Sequence, residues 1–201
     1  MKTIPRYLSC AALMLLLQSC ATTAPPLAFY DFGALPKADG AGTGTCALPP
    51  IQLSDMSSPV ALDSNLMLYR LLYDNDQQSH AYASHRWSMT PAQLLGLRIR
   101  SQLAASQVKI IDSGMVMPGL WQLRLDLTDF AQYFSDATHS TAQLAVRVSV
   151  LRANTLVGQT TLQQQSPAAH PDAPSGAQAM RVASDALITD LNNWLCKLPR
   201  P

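Results

Sequence analysis

The chain has no glutamate: all thirteen acidic residues among its 201 are aspartates. One common general acid or base is therefore missing, although aspartate and histidine can serve that role. Charged residues make up only 13% and aromatics only 6% of the chain, with a net charge of +1. So balanced a charge, with no polybasic cluster, excludes a nucleic-acid partner and a strongly basic membrane face. Catalytic signatures are also missing. None of the four histidines, His80, His85, His139 and His170, is spaced to put two imidazoles on one helix face, so no metal site is expected. There is no Gly-x-Ser-x-Gly elbow and no phosphate-cradling glycine loop. Asp74 and Asp76 fall in a polar connection, where aspartate commonly bonds its own backbone, and most of a calcium loop is missing around them. Adjacent Ser84/His85 and His139/Ser140 pairs would point to opposite faces of a strand. No cofactor and no catalytic residue is expected, and the chain does not read as an enzyme.

What is present begins at the N-terminus. Lys2 and Arg6 precede a ten-residue apolar stretch, residues 8–17, and Ser19 precedes Cys20. That is a secretory-signal layout, too short for a spanning helix, which needs about 20 apolar residues. Leu17-Gln18-Ser19-Cys20 resembles the cleavage site of bacterial lipoproteins, with Gln18 where a small or β-branched residue is usual. The resemblance implies that residues 1–19 are removed and Cys20 is acylated. Three acyl chains, at about 0.8 kcal/mol per buried methylene, hold a protein at a membrane essentially permanently. By the same resemblance, Ala21 in place of a retaining aspartate implies the periplasmic face of the outer membrane. Residues 20–27, with Pro25 and Pro26, read as a lipidated tether, and residues 28–198 as one domain.

Removing residues 1–19 leaves 182 residues, enough for one core, and a net charge near −1. Cys46 and Cys196 are then left over. In an oxidising compartment an even remainder suggests a disulfide, the alternative being two buried thiols.

Along the chain, Phe29 to Gly33 suits the start of a sheet, and residues 34–50 are a Gly/Pro-rich loop. Residues 65–73 and 80–87 read as a hairpin. Thr90-Pro91-Ala92-Gln93 is a capping box with proline at the first helical position, opening a helix to about Ser106. Its stripe is Leu95, Ile99 and Leu103 with Leu94 beside it, leaving Arg98 and Arg100 partly away. A strand over 108–111 and a turn at Gly114 and Pro118-Gly119 follow. Alternating strands over 120–127, 141–151 and 155–164 make a meander. Residues 166–174 read as a linker, and Ser175 as the cap of a second helix of about 20 residues. The expected class is α/β: a two-layer sandwich, a mostly antiparallel sheet with two main helices on one face. In residues 80–87, alternation sets Tyr82, Ser84 and Arg86 against Ala83, His85 and Trp87. Trp87 should fill the core, and Tyr82 and Arg86 are candidate partner-binding residues, being hot-spot types.

Leu66-Met67-Leu68-Tyr69-Arg70-Leu71, Tyr82-x-x-x-Arg86-Trp87 and Pro91-x-x-Leu94-Leu95-x-x-Arg98 come in that order. Leu125-Asp126-Leu127-Thr128-Asp129-Phe130 and Leu191-x-x-Trp194-Leu195 follow. Together they resemble the ABC-type transport auxiliary lipoprotein family over roughly residues 29–196. The resemblance implies a non-enzymatic outer-membrane component working with an MCE (mammalian-cell-entry) protein in lipid trafficking, and is compatible with a homo-oligomer. The alternative is a lipid- or solute-binding module with an apolar cavity between sheet and helices; a filled core would favour the adaptor.

The anchor is directly testable. Cys20→Ala should yield unprocessed or mislocalised protein on membrane fractionation, and wild-type fractionation of that variant would end the lipoprotein reading.

Overall fold

The computed structural model describes residues 25–34, 46–112 and 119–200. Cys20, the signal segment, most of the Gly/Pro-rich loop and the turn at 113–118 lie outside the described residues. The elements are β1 (Ala28–Tyr30), β2 (Ile51–Leu53), β3 (Leu66–Leu71), β4 (Asn75–Trp87), α1 (Pro91–Ala105), β5 (Ile110–Asp112), β6 (Trp121–Phe134), β7 (Ser140–Arg152), β8 (Thr155–Pro167) and α2 (Ala173–Lys197). A 3-10 turn, Val60–Leu62, lies between β2 and β3.

The strands form one eight-stranded mixed sheet, not closed into a barrel, with β6 as its hub. On one side β6 pairs with β7, and β7 with β8, in long antiparallel ladders. On the other side the sheet forks. The first residues of β6 pair in parallel with β2, which continues to β5, and its last residues pair in parallel with β3, which continues through β4 to β1. Each parallel ladder spans three residues, so the antiparallel ladders carry most of the pairing.

Strand β6 runs to Phe134, well past the end of its sequence alternation at Leu127. The reason is a bulge: Leu127 faces Val146 and Asp129 faces Ala145, leaving Thr128 extra, its hydroxyl on the Ala145 carbonyl. One extra residue flips the side-chain phase. Trp121, Leu123, Leu125 and Leu127 point into the core before the bulge, and Phe130 and Phe134 after it. Ala153 and Asn154 both take positive φ, the signature of a tight two-residue hairpin turn between β7 and β8.

Both helices cover the same face and share one core with the inner residues of the sheet. Helix α1 starts at the expected box: the Gln93 amide donates to the Thr90 hydroxyl, and the Thr90 amide to Gln93 Oε1. Helix α2 starts earlier than expected. Asp172 caps it, accepting from the Ser175 amide, with Pro174 inside the first turn, so part of the expected linker is helical. The expected hairpin forms, but its turn is residues 72–74 and β4 begins at Asn75.

Arg98 departs most from expectation. It is only 4% exposed, because four residues after Leu94 and three after Leu95 is within the buried stripe. Its Nε and Nη2 each donate to an Asp185 carboxylate oxygen of α2 at 2.9 Å. Its Nη1 faces the carbonyls of Phe32, Gly33 and Ala34 at 3.3 Å. Gln102 also donates to Asp185. Gly33 adopts φ +62, which lets three successive carbonyls turn toward one guanidinium nitrogen.

A disulfide joins Cys46, ahead of β2, to Cys196 in the last turn of α2, with Cα atoms 5.7 Å apart. Arg200 donates to the carbonyl of Ala47 beside it.

Arg98→Ala removes a guanidinium that satisfies a carboxylate and three carbonyls. It should cost about 3 kcal/mol, the lower end of what breaking one partner of a buried pair costs. Chemical denaturation checks this; an unchanged midpoint would show that the contact contributes nothing.

Candidate functional site

Two places gather the chemistry of this fold: the aromatic hairpin and an open groove beside α1.

At the hairpin, β4 is far longer than its partner. Five steps along β4, Arg86 to Ala81, match two along β3, Leu66 to Leu68, and the same excess recurs between Tyr69 and Leu71. These irregularities cancel the simple alternation expected for residues 82–87. Tyr82 and Trp87 therefore both reach the helix side. Trp87 lies edge-on to Phe130 (5.4 Å) and Phe32 (6.0 Å), filling the core as expected. Tyr82 is half-buried and donates its hydroxyl to Gln132 Oε1 at 3.0 Å. The Gln132 amide nitrogen donates onward to Ser140 Oγ and the Asp172 carbonyl. Gly176 makes room for this amide: a Cβ there would sit 2.0 Å from Gln132 Oε1. The Tyr82 hydroxyl is thus committed to a joint between hairpin, β6 and α2.

Arg86 is on the other face. Register pairs it with Phe29 and with Leu66, while Tyr30 pairs with Trp87 on the core side. One guanidinium nitrogen donates to the carbonyls of Tyr82 and His85. Half-buried rings run along the hairpin: His85 stacks on Tyr30, and Tyr69 contacts Tyr82 and stacks on His80.

The irregular strand also brings Ser84 Oγ to 3.2 Å from His85 Nδ1, contrary to the opposite-face expectation. The ring's other contacts are Tyr30 and Tyr82, so the imidazole is packed between phenols. His139 bonds Asp136, whose carboxyl is held well below its usual pKa chiefly by the Thr138 hydroxyl and amide and by His139. Among the described residues no three His, Cys or Asp side chains converge as a metal site.

The groove, about 670 Å³, runs between α1 and the segment after β2. Leu53, Met56, Leu125 and Leu97 alternate in its lining with Ser54, Thr90, Gln93 and Arg100. Asp55 and Asp63 line it as exposed carboxylates. Leu97 is 53% exposed, and Val60, between the two aspartates in sequence, is 92% exposed. By contrast, the space enclosed by Met67, Tyr82, Trp87, Phe130 and Met180 is about 10 Å³, room for one water at most. No sequence motif marks the groove; its walls come from separate segments.

A family model described as the ABC-type transport auxiliary lipoprotein component matches residues 30–192. The chain belongs to that family. Curated proteins give no sequence match. A Xanthomonas campestris protein of known structure is 17% identical, with a TM-score of 0.64 over 75% of this chain and 87% of that one. An uncharacterised protein, 9% identical, aligns with the same score over 85% of this chain and 99% of that one. At these identities the likeness is one of fold. A minor lipoprotein from Acinetobacter baumannii, 14% identical, aligns at 0.43 over 75% of this chain and 97% of that one. This auxiliary lipoprotein has, among its described residues, no helix long and apolar enough to cross a membrane.

Burial, above all, raises the Tyr82 hydroxyl well above the usual phenol range. Burial, and then its bond to Asp129, raises Tyr133 to about 12. A folded-state pKa above the unfolded value means stability is full below the unfolded pKa near 10 and is lost as pH rises toward the folded one. Denaturation midpoints should therefore hold up to about pH 10 and fall above it. In Tyr82→Phe the fall should be shallower; parallel curves would contradict this account.

Proposed function

We propose that this auxiliary lipoprotein is a non-enzymatic adaptor, lipid-anchored through Cys20 at the periplasmic face of the outer membrane. There it docks the MCE-type protein of an ABC transport system that moves lipid. The observation that carries this reading is the contrast between the filled interior and the open groove. A cargo carrier needs an apolar cavity of several hundred Å³, and the space between the hairpin, β6 and α2, beside Tyr82, Trp87 and Met180, holds about 10 Å³. The groove is large enough for a ligand, but its two carboxylates, Asp55 and Asp63, outnumber its one cation, Arg100, which disfavours an anionic phospholipid headgroup. A peptide segment with apolar anchors and a basic residue satisfies both its apolar floor and its carboxylates. Met56 and Met89 add adaptable contact surface.

Docking is thereby assigned to the groove, and the Tyr82 hydroxyl serves inside the fold, on Gln132. Leu97→Asp should weaken co-purification with the MCE partner by about tenfold or more, as for loss of an interface anchor. The exposed position should leave circular dichroism unchanged. Undiminished co-purification of a folded Leu97→Asp protein would remove the groove from the docking surface.

A further inference from the structure

The outer face of β1 carries exposed apolar side chains. Phe29 is 60% exposed and Leu27 is 55% exposed. Phe29 pairs in register with Arg86, which pairs in turn with Leu66, so these side chains share the sheet face away from the helices. A solvent-facing phenylalanine on a three-residue edge strand has no packing role, since Tyr30 and Trp87 serve the core side.

Chain length limits where this patch can lie. Phe29 lies nine residues after Cys20, and at about 3.5 Å per residue the chain between them spans at most about 32 Å. A domain of this size is about 40 Å across. Peeling β1 away could lengthen the tether only as far as Asp31. Just beyond it, the carbonyls of Phe32, Gly33 and Ala34 are held by the buried Arg98.

We infer that Leu27, Phe29 and Arg86 form a membrane-contact patch that seats the domain on a phospholipid surface beside the acylated cysteine. Phe29 and Leu27 enter the headgroup–acyl boundary, and Nε and Nη2 of Arg86, whose Nη1 is on the Tyr82 and His85 carbonyls, meet anionic phosphates, as aromatic and basic side chains do at interfaces. The patch then fixes the orientation of the domain, which acyl chains alone leave free. The inference rests on lipidation at Cys20.

The test uses the mature full-length lipoprotein, purified and reconstituted into phosphatidylethanolamine/phosphatidylglycerol vesicles with or without acyl-brominated lipid. Phe29→Trp places a reporter in the patch, and Val182→Trp places one at an exposed position on α2, in the helix layer. Trp87 and Trp121 are buried, and the unsubstituted protein gives the background. The F29W emission should lose about twice as much intensity to brominated lipid as that of V182W, as for a side chain at the acyl boundary. Adding Arg86→Gln should reduce that loss in anionic vesicles and not in phosphatidylcholine vesicles. Mass spectrometry separates the two ideas. Absence of the acyl adduct overturns the anchor and this inference with it. An acylated protein whose F29W emission is quenched no more than that of V182W overturns the inference alone.

Discussion

One buried cation holds this fold in register. Arg98 joins three pieces that the sheet does not join: α1, which carries it, α2 through Asp185, and the strand-exit segment of residues 32–34. Burying a guanidinium is costly unless its donors are used. Here Nε and Nη2 meet the two oxygens of one carboxylate, and Nη1 faces carbonyls that follow a three-residue edge strand. Those carbonyls have no ladder to satisfy them, so the cation and the backbone solve each other's problem. The geometry admits no lysine, since a single ammonium cannot fork onto a carboxylate and also cap a turn of backbone.

Much of the architecture was legible because its strongest signals are local. The Thr90–Gln93 box, the meander of β6 to β8 and the apolar face of α2 depend on residues close in sequence. What escaped depends on distant partners. A stripe drawn through Leu95, Ile99 and Leu103 leaves Arg98 partly away, whereas its spacing of four from Leu94 and three from Leu95 puts it beside them. The second half of β6 was missed because Thr128 resets the alternation, and a bulge is set by its partner strand. The four short parallel ladders have no sequence signature, since three residues carry too little pattern.

The candidate site was legible in a different measure. Cys46 and Cys196 were paired by compartment and count, and the structure bonds them. Simple alternation puts Tyr82 and Arg86, both hot-spot types, on one strand face, but the irregular hairpin sends them to opposite sides. Tyr82 meets Gln132 within the fold, and Arg86 meets Phe29 on the outer face. The groove beside α1 has no sequence signature, as Asp55, Leu97 and Leu125 converge only through tertiary packing.

The fixings fall where an adaptor needs them. In the proposed arrangement the domain is held by a lipid tether entering at β1 and by a partner lying against α1. Load between the two passes first through β1, whose three-residue parallel ladder alone would peel readily. Arg98 takes that load into both helices immediately after β1, before it can spread along the chain. The disulfide fixes the chain again at Cys46, before β2, to the last turn of α2. The segment between Ala34 and Cys46 thus lies between two fastened points, and neither relies on sheet hydrogen bonds. Since α1 carries both Arg98 and the groove residues Gln93, Gly96 and Leu97, tether and docking surface meet on one rigid helix.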